Sequence, residues 1–284
     1  MPTTVIDGIT TAYEVVGSGP PLLLCSPGGF DAAMSKWRTQ EIYRDTRILD
    51  HLAERYTCIV YDRRESGASG GRVEVVTWRH YIVEAKGLLD HLGFDRAHLM
   101  GGCMGCSPVI AFAVAHPERV RSMVLFWPVG GARYRIRGHQ RFADHAAFAQ
   151  EHGLSGVVEL ARSHDAGFGQ DPRIGLWGQV LRHDDAFAEE YRHLDPAWYQ
   201  DVLVEMVQGL LDRDTSPGAE PEDLLDLEVP ALIVPGQDAS HATSAARYLQ
   251  ECLSGSEYWD VRVPEQTEDT APAQVLDFLE RVGG

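Results

Sequence analysis

The chain has 284 residues, 44% of them hydrophobic and 24% charged, so it can bury a core as one large domain or as a domain with an insert. Its formal net charge of −17 argues against a nucleic-acid partner, because a strongly acidic surface repels phosphate backbones. No apolar run reaches the roughly 20 residues of a membrane helix, residues 1–13 lack a secretory signal, and five cysteines do not suit a disulfide scaffold, so we expect a cytoplasmic protein without a membrane partner.

Short apolar runs alternate with helical patterns over residues 1–127. Strands are predicted at 11–16, 22–25, 58–61, 97–100 and 120–127, because each is an apolar run that ends at turn residues. Helices are predicted at 48–54, at 78–92 with Thr77 as N-cap, and at 109–115. Alternation of this kind is typical of a parallel sheet with helical crossovers.

The pattern changes at residue 128. Residues 128–221 contain no convincing strand, and their apolar side chains recur with a helical period. A strand at 231–234, a helix at 243–253, a strand near 258–263 and a helix at 271–282 then restore the earlier alternation. We therefore predict a doubly wound, mostly parallel α/β sheet formed by residues 1–127 and 222–284. Residues 128–221 are predicted to form a helical cap over the carboxyl edge of the sheet, enclosing a pocket lined by its tryptophans, among them Trp177 and Trp198.

A Gly-x-Cys-x-Gly sequence follows the strand predicted at 97–100. The flanking glycines, Gly101 and Gly105, permit a tight turn from strand to helix that lifts the side chain of Cys103 above the sheet. A thiol has a pKa of about 8.5 when free and a lower pKa at a helix N-terminus. Cys103 is therefore the candidate nucleophile.

The order of motifs resembles that of the α/β-hydrolase family over nearly the whole chain. Residues 101–105 match its nucleophile elbow, with cysteine in place of the usual serine. Residues 26–30, Ser-Pro-Gly-Gly-Phe, stand where the family has its oxyanion-hole loop, and residues 61–69 are similar to its Asp-x-Arg-Gly-x-Gly-x-Ser turn, with Glu65 replacing a glycine. Residues 230–238 resemble the strand and loop of the catalytic acid. The resemblance implies a hydrolase in which Asp238 is that acid.

The chain departs from the family at the catalytic histidine. The family places this residue between the last strand and the last helix, where residues 261–270 contain no histidine. His241 lies three residues after Asp238 on the same predicted loop and is our candidate base. Glu265 or Gln266 could instead occupy the vacated position. We expect the oxyanion to be bound by the backbone N–H of Met104 and by that of Gly29 or Phe30.

Other polar groups have alternative interpretations. Cys106 forms a Cys-x-x-Cys with Cys103 and could be a redox partner, although the family usually has a small residue there. An arginine cluster after the strand at 120–127 could clamp a substrate carboxylate or phosphate, or could balance nearby acids; its members are Arg133, Arg135, Arg137 and Arg141. The histidines of residues 128–221 lack metal-ligand spacing, and no nucleotide-binding motif is present, so neither a metal nor a cofactor is predicted.

These patterns predict a cofactor-independent hydrolase with a small-molecule substrate. Cys103 would attack an ester, thioester or related carbonyl and form an acyl-enzyme, with Asp238 and His241 as acid and base. Two other classes stay open: a lyase or carbon–carbon-bond enzyme on the same scaffold, and a ligand-binding protein with an inert elbow. The sequence also allows a homodimer.

Overall fold

A central sheet of eight strands organises the computed structural model, which describes residues 1–283. The strands are β1 (Thr3–Ile6), β2 (Ile9–Val16), β3 (Pro21–Cys25), β4 (Thr57–Tyr61), β5 (Ala97–Gly102), β6 (Val120–Phe126), β7 (Ala231–Val234) and β8 (Ser256–Tyr258). They lie in the order β1-β2-β4-β3-β5-β6-β7-β8. β2 is antiparallel to β1 and to β4, and all other neighbouring pairs are parallel. The predicted mostly parallel sheet is thus confirmed.

Helices follow most of the strands. They are α1 (Lys36–Thr39), α2 (Glu41–Asp45), α3 (Ile48–Ala53), α4 (Trp78–His91), α5 (Cys106–Ala115), α6 (Ala132–Ser163), α7 (Gly178–His183), α8 (Asp185–Arg192), α9 (Pro196–Leu210), α10 (Pro221–Leu225), α11 (Thr243–Cys252) and α12 (Ala271–Val282). α6 is interrupted at Gly153, whose φ of 69° and ψ of 171° are not helical. None of the described helices combines the length and apolarity that a membrane crossing requires.

Both faces of the sheet are buried, which explains why its strands are continuous apolar runs. Successive residues of a strand point to opposite faces. Leu23 of β3 belongs to a core with side chains of α4, α5 and α11, whereas its neighbours Leu22 and Leu24 belong to a second core with α3 and α12. The doubly wound arrangement follows from this division.

The segment between β6 and β7 is helical, as predicted. Side chains of α6, α7 and α9 share a third apolar cluster with Met104 and Val129, which follow β5 and β6. These helices therefore pack over the carboxyl ends of the central strands. An isolated bridge also pairs Gly130 with His241. The division into a core of 1–127 and 222–284 and a cap of 128–221 stays a prediction.

Several boundaries differ from the prediction. The strand expected near 258–263 is β8, Ser256–Tyr258, because its partner β7 is only four residues long and their pairing ends at Tyr258. Residues 263–265 form a turn of 3₁₀ helix instead. The helix expected at 109–115 already begins at Cys106, and β1, α1 and α2 were not predicted.

Candidate active site

The turn between β5 and α5 presents Cys103 at the carboxyl edge of the sheet. Cys103 has a φ of +55°, a backbone conformation that side chains rarely adopt. A Cβ on Gly101 would lie 2.4 Å from the carbonyl oxygen of Gly105, and one on Gly105 would lie 2.1 Å from that of Cys25. The two flanking glycines are therefore required by close backbone approach. The thiol is partly buried and lies just before the first turn of α5.

The loop between β7 and α11 brings Asp238 and His241 together. Asp238 Oδ1 accepts hydrogen bonds from the N–H groups of Ser240 (2.7 Å) and His241 (3.0 Å), so the loop turns back on itself. Asp238 Oδ2 lies 2.7 Å from His241 Nδ1. The opposite ring nitrogen, Nε2, is buried and approaches the thiol of Cys103 without a hydrogen bond of good geometry. The imidazole thus stands between the carboxylate and the thiol.

The three groups shift one another's protonation equilibria. Burial raises the pKa of the Cys103 thiol, but the imidazolium of His241 and two backbone amides outweigh it and leave this pKa below its ordinary value. Burial lowers the pKa of His241, but the Cys103 thiolate and the Asp238 carboxylate reverse the shift and raise it. The hydrogen bond from His241 holds the pKa of Asp238 well below its usual range. The site therefore favours a thiolate–imidazolium pair.

Two backbone N–H groups interact with the sulfur of Cys103 and favour its thiolate form. They belong to Met104, at the elbow, and to Gly28, in the loop after β3. Gly28 has a φ of 113°, and a Cβ there would lie 2.4 Å from the carbonyl oxygen of Asp31. Sequence reasoning placed the second donor at Gly29 or Phe30. That assignment stays a prediction, and Gly28 is an added donor one residue earlier in the loop.

The position vacated by the family's histidine holds Gln266, which is 3% exposed. Its Oε1 accepts a hydrogen bond from Trp127 Nε1 (2.7 Å), and its Nε2 donates to the carbonyl oxygen of Pro235 (2.8 Å). The Trp127 ring in turn packs on His241, with 5.4 Å between ring centroids. Glu265, the alternative, is exposed and bonded to Arg262. Gln266 therefore supports the wall behind His241, which sequence reasoning did not foresee.

Cys106 faces away from the turn that carries Cys103. Its fully buried thiol donates to the carbonyl oxygen of Gly101 at 3.1 Å, and burial raises its pKa well above the ordinary value. The Cys106 sulfur is engaged with the carbonyl oxygens of Gly101 and Phe126, and both cysteines are free thiols here, so the redox pairing of Cys103 and Cys106 stays a prediction.

Most of the other polar candidates lie away from Cys103. Arg133 and Arg137 are exposed, and Arg135 is paired with Asp214 at 3.3 Å. His145 is buried, with Nε2 2.5 Å from the hydroxyl of Tyr199. No group of three or more potential metal ligands occurs within residues 1–283.

The tryptophans of the helical segment differ in environment. Trp177 is fully buried, and its Nε1 donates to the carbonyl oxygen of Arg72 at 2.9 Å. Trp198 is 43% exposed, so the prediction that both rings line an enclosed pocket is wrong for Trp198. Its place near the start of α9 turns the ring toward solvent.

Comparisons with known proteins place this geometry in context. A family model described as alpha/beta hydrolase fold matches residues 20–178, more than half of the chain. The chain is 33% identical to 2-hydroxy-6-oxo-2,4-heptadienoate hydrolase of Pseudomonas putida over 244 residues, covering 81% of this chain and 76% of that protein. It is 32% identical over 113 residues to a protein of Azorhizobium caulinodans named as a carbamate hydrolase, RutD, covering 40% of this chain but only 39% of the relative.

A solved structure is similar over the full length. The enol-lactonase from Burkholderia xenovorans LB400 superposes with a TM-score of 0.61 and 20% sequence identity, covering 98% of this chain and 100% of that one. At this identity the similarity concerns the fold. The family model and the hydrolase names of the sequence relatives support a hydrolase.

Proposed function

Because the chain belongs to the α/β-hydrolase fold family, we propose that it is a cofactor-independent hydrolase in which Cys103 attacks an ester, thioester or related carbonyl substrate. The observation that carries the proposal is the placement of His241 between Asp238 and Cys103. This is the relation that a nucleophile, a base and an orienting acid require, reached here from one loop. The hydrolase names of the relatives favour hydrolysis over lyase chemistry.

The reaction begins from the thiolate–imidazolium pair. The Cys103 sulfur forms a bond to the carbonyl carbon, and the electron pair of the C=O moves to its oxygen. The N–H of Met104 and a donor from the 28–30 loop stabilise this oxyanion. The tetrahedral species then collapses, and His241 gives its proton to the departing alcohol or thiol. An acyl-thioester on Cys103 is left.

Water completes the cycle. His241, now neutral, accepts a proton from a water molecule as the water oxygen attacks the thioester carbonyl. The second tetrahedral species expels the Cys103 thiolate and releases the carboxylic acid. Asp238 holds the imidazole by Nδ1 throughout and stabilises its protonated form.

The acyl-enzyme is the testable intermediate. Acid-quenched protein should gain the mass of the acyl group during turnover of p-nitrophenyl acetate, and peptide mapping should place it on Cys103. Cys103→Ala should lose both the adduct and turnover. Cys252→Ala is the matched control, because Cys252 is buried at the end of α11. Turnover without an adduct would contradict the covalent route, and tight substrate binding without turnover would favour a binding protein.

A further inference from the structure

Arg63 is a buried cation with unused hydrogen-bond donors. It follows β4, is 2% exposed, and donates from Nη2 to the carbonyl oxygen of Gly29. Its Nε and Nη1 are buried without any hydrogen-bond partner, and no carboxylate within residues 1–283 lies within 4.0 Å of its nitrogens. A buried charge with unpaired hydrogen-bond donors is energetically unfavourable. A ligand that accepts hydrogen bonds from these donors would therefore bind more tightly.

The carboxylates around Arg63 do not neutralise it. Asp62, its neighbour in the chain, accepts two backbone N–H groups instead. Glu65 is paired with Arg64 at 3.0 Å. Glu84 accepts the backbone N–H of Arg64 at 2.7 Å, and burial raises its pKa to about 8, so it is mainly protonated at neutral pH. The charge of Arg63 is therefore left for another anion. An arginine fork matches a carboxylate better than any other common acceptor except phosphate.

Arg63 also lies beside the candidate active site. Its Gly29 contact is in the loop whose Gly28 N–H faces Cys103. Its guanidinium lies 4.5 Å from the ring centroid of Tyr81. Tyr134 of α6 is near both Cys103 and Arg63. Burial and Cys103 raise the pKa of its hydroxyl, and Arg63 lowers it. Cys103 and Arg63 thus both lie near Tyr134 and near the loop after β3.

We propose that Arg63 binds a carboxylate carried by the substrate, so that the preferred substrates are acidic esters or thioesters. This inference rests on the proposed hydrolase function and adds its substrate class. Nε and Nη1 are enclosed in this conformation, so the proposal requires the helical segment above the site to move when the carboxylate binds. Arg63 stands at the variable position of the Asp-x-Arg turn, and Arg64 stands at the position of the motif's arginine.

Two esters with the same leaving group and acyl length test the proposal. They are p-nitrophenyl pentanoate, which is neutral, and mono-p-nitrophenyl glutarate, which carries a terminal carboxylate. The wild type should prefer the glutarate ester. Arg63→Gln should lower kcat/KM for that ester at least about 10-fold more than for the pentanoate ester, because only the glutarate ester loses a charge-assisted pair. Arg137→Gln, an exposed arginine of α6, is the control and should change neither.

Equal losses on both esters, or an unaffected glutarate ester, would overturn the role of Arg63. A second measurement needs neither a variant nor turnover. Glutarate should protect Cys103 of the wild type from iodoacetamide, and neutral glutaramide should not. If neither ester is hydrolysed but glutarate protects, the hydrolase proposal fails and the carboxylate site stands. If an ester is hydrolysed and glutarate protects no better than glutaramide, the carboxylate site fails alone.

Discussion

Replacing His241 by glutamine tests whether the imidazolium keeps Cys103 ionised. The substitution removes the cation that lowers the pKa of the thiol, while the burial that raises it remains and Asp238 adds a nearby negative charge. At pH 6.5 a thiol with an ordinary pKa of about 8.5 is only about 1% thiolate. The loss of ionisation could therefore reach about 100-fold at this pH, partly offset by the greater nucleophilicity of a more basic thiolate. We expect Cys103 to be alkylated about 10- to 100-fold more slowly.

The assay is the rate of iodoacetamide labelling of the Cys103 peptide between pH 5.5 and 9. Because the pKa of this thiol is lowered, the wild-type rate should level off at a lower pH than the rate of the variant. The rate of His241→Gln should rise about tenfold per pH unit at least up to the ordinary pKa, since burial still raises the pKa of its thiol. His193→Gln, an exposed histidine of the helical segment, is the control. Equal labelling of His241→Gln and wild type at pH 6.5 would refute the ion pair.

Three further substitutions probe the groups around this pair. Asp238→Asn should lower kcat by about 100-fold or more, since Nδ1 loses its anionic acceptor; an unchanged kcat would make Asp238 a loop-turning residue only. Gln266→Leu leaves Trp127 Nε1 and the carbonyl oxygen of Pro235 unpaired, so urea unfolding should show a loss of about 2–4 kcal/mol; a neutral result would remove Gln266 from the support of His241. Cys103→Ser should fold normally and turn over at under about 1% of the wild-type rate, because a hydroxyl depends on the base far more than a thiol does; comparable rates would mean that the thiolate is not the reason for cysteine.

The parts of the fold that could be predicted from sequence are those fixed by local patterns. β3, β4 and β7 are buried on both faces and so are uninterrupted apolar runs. The elbow was predictable because its Gly-x-Cys-x-Gly pattern is local in the sequence, although the backbone that crowds Gly105 belongs to Cys25 of the neighbouring strand. β1 was not predicted, since half of its four residues are exposed and its pairing with β2 depends on a tight turn.

The candidate site was less predictable, because it depends on how loops turn. His241 approaches Cys103 only because the Asp238 carboxylate accepts two amides and reverses the chain. Which amide of the glycine-rich loop faces the sulfur depends on the backbone angles of Gly28 and Gly29, both with positive φ. Glu65 has a φ of +64°, a conformation that glycine adopts readily, so the glycine at this position of the family's motif has a backbone reason. In this chain Glu65 adopts the strained conformation and forms an ion pair with Arg64.

In the proposed mechanism the base lies on the acid's own loop, and this placement changes what the base must do. The α/β-hydrolase family takes its catalytic acid and its histidine from two different loops. Here Asp238 and His241 are three residues apart on one loop, and the neutral Gln266 occupies the position of the family's histidine. A serine would need this histidine to remove its proton at each attack. A thiol beside an imidazolium and two amides loses its proton more readily than a free thiol, so in the proposed mechanism the first task of His241 is to donate to the leaving group. Cysteine at the elbow and histidine at position 241 are thus parts of one arrangement.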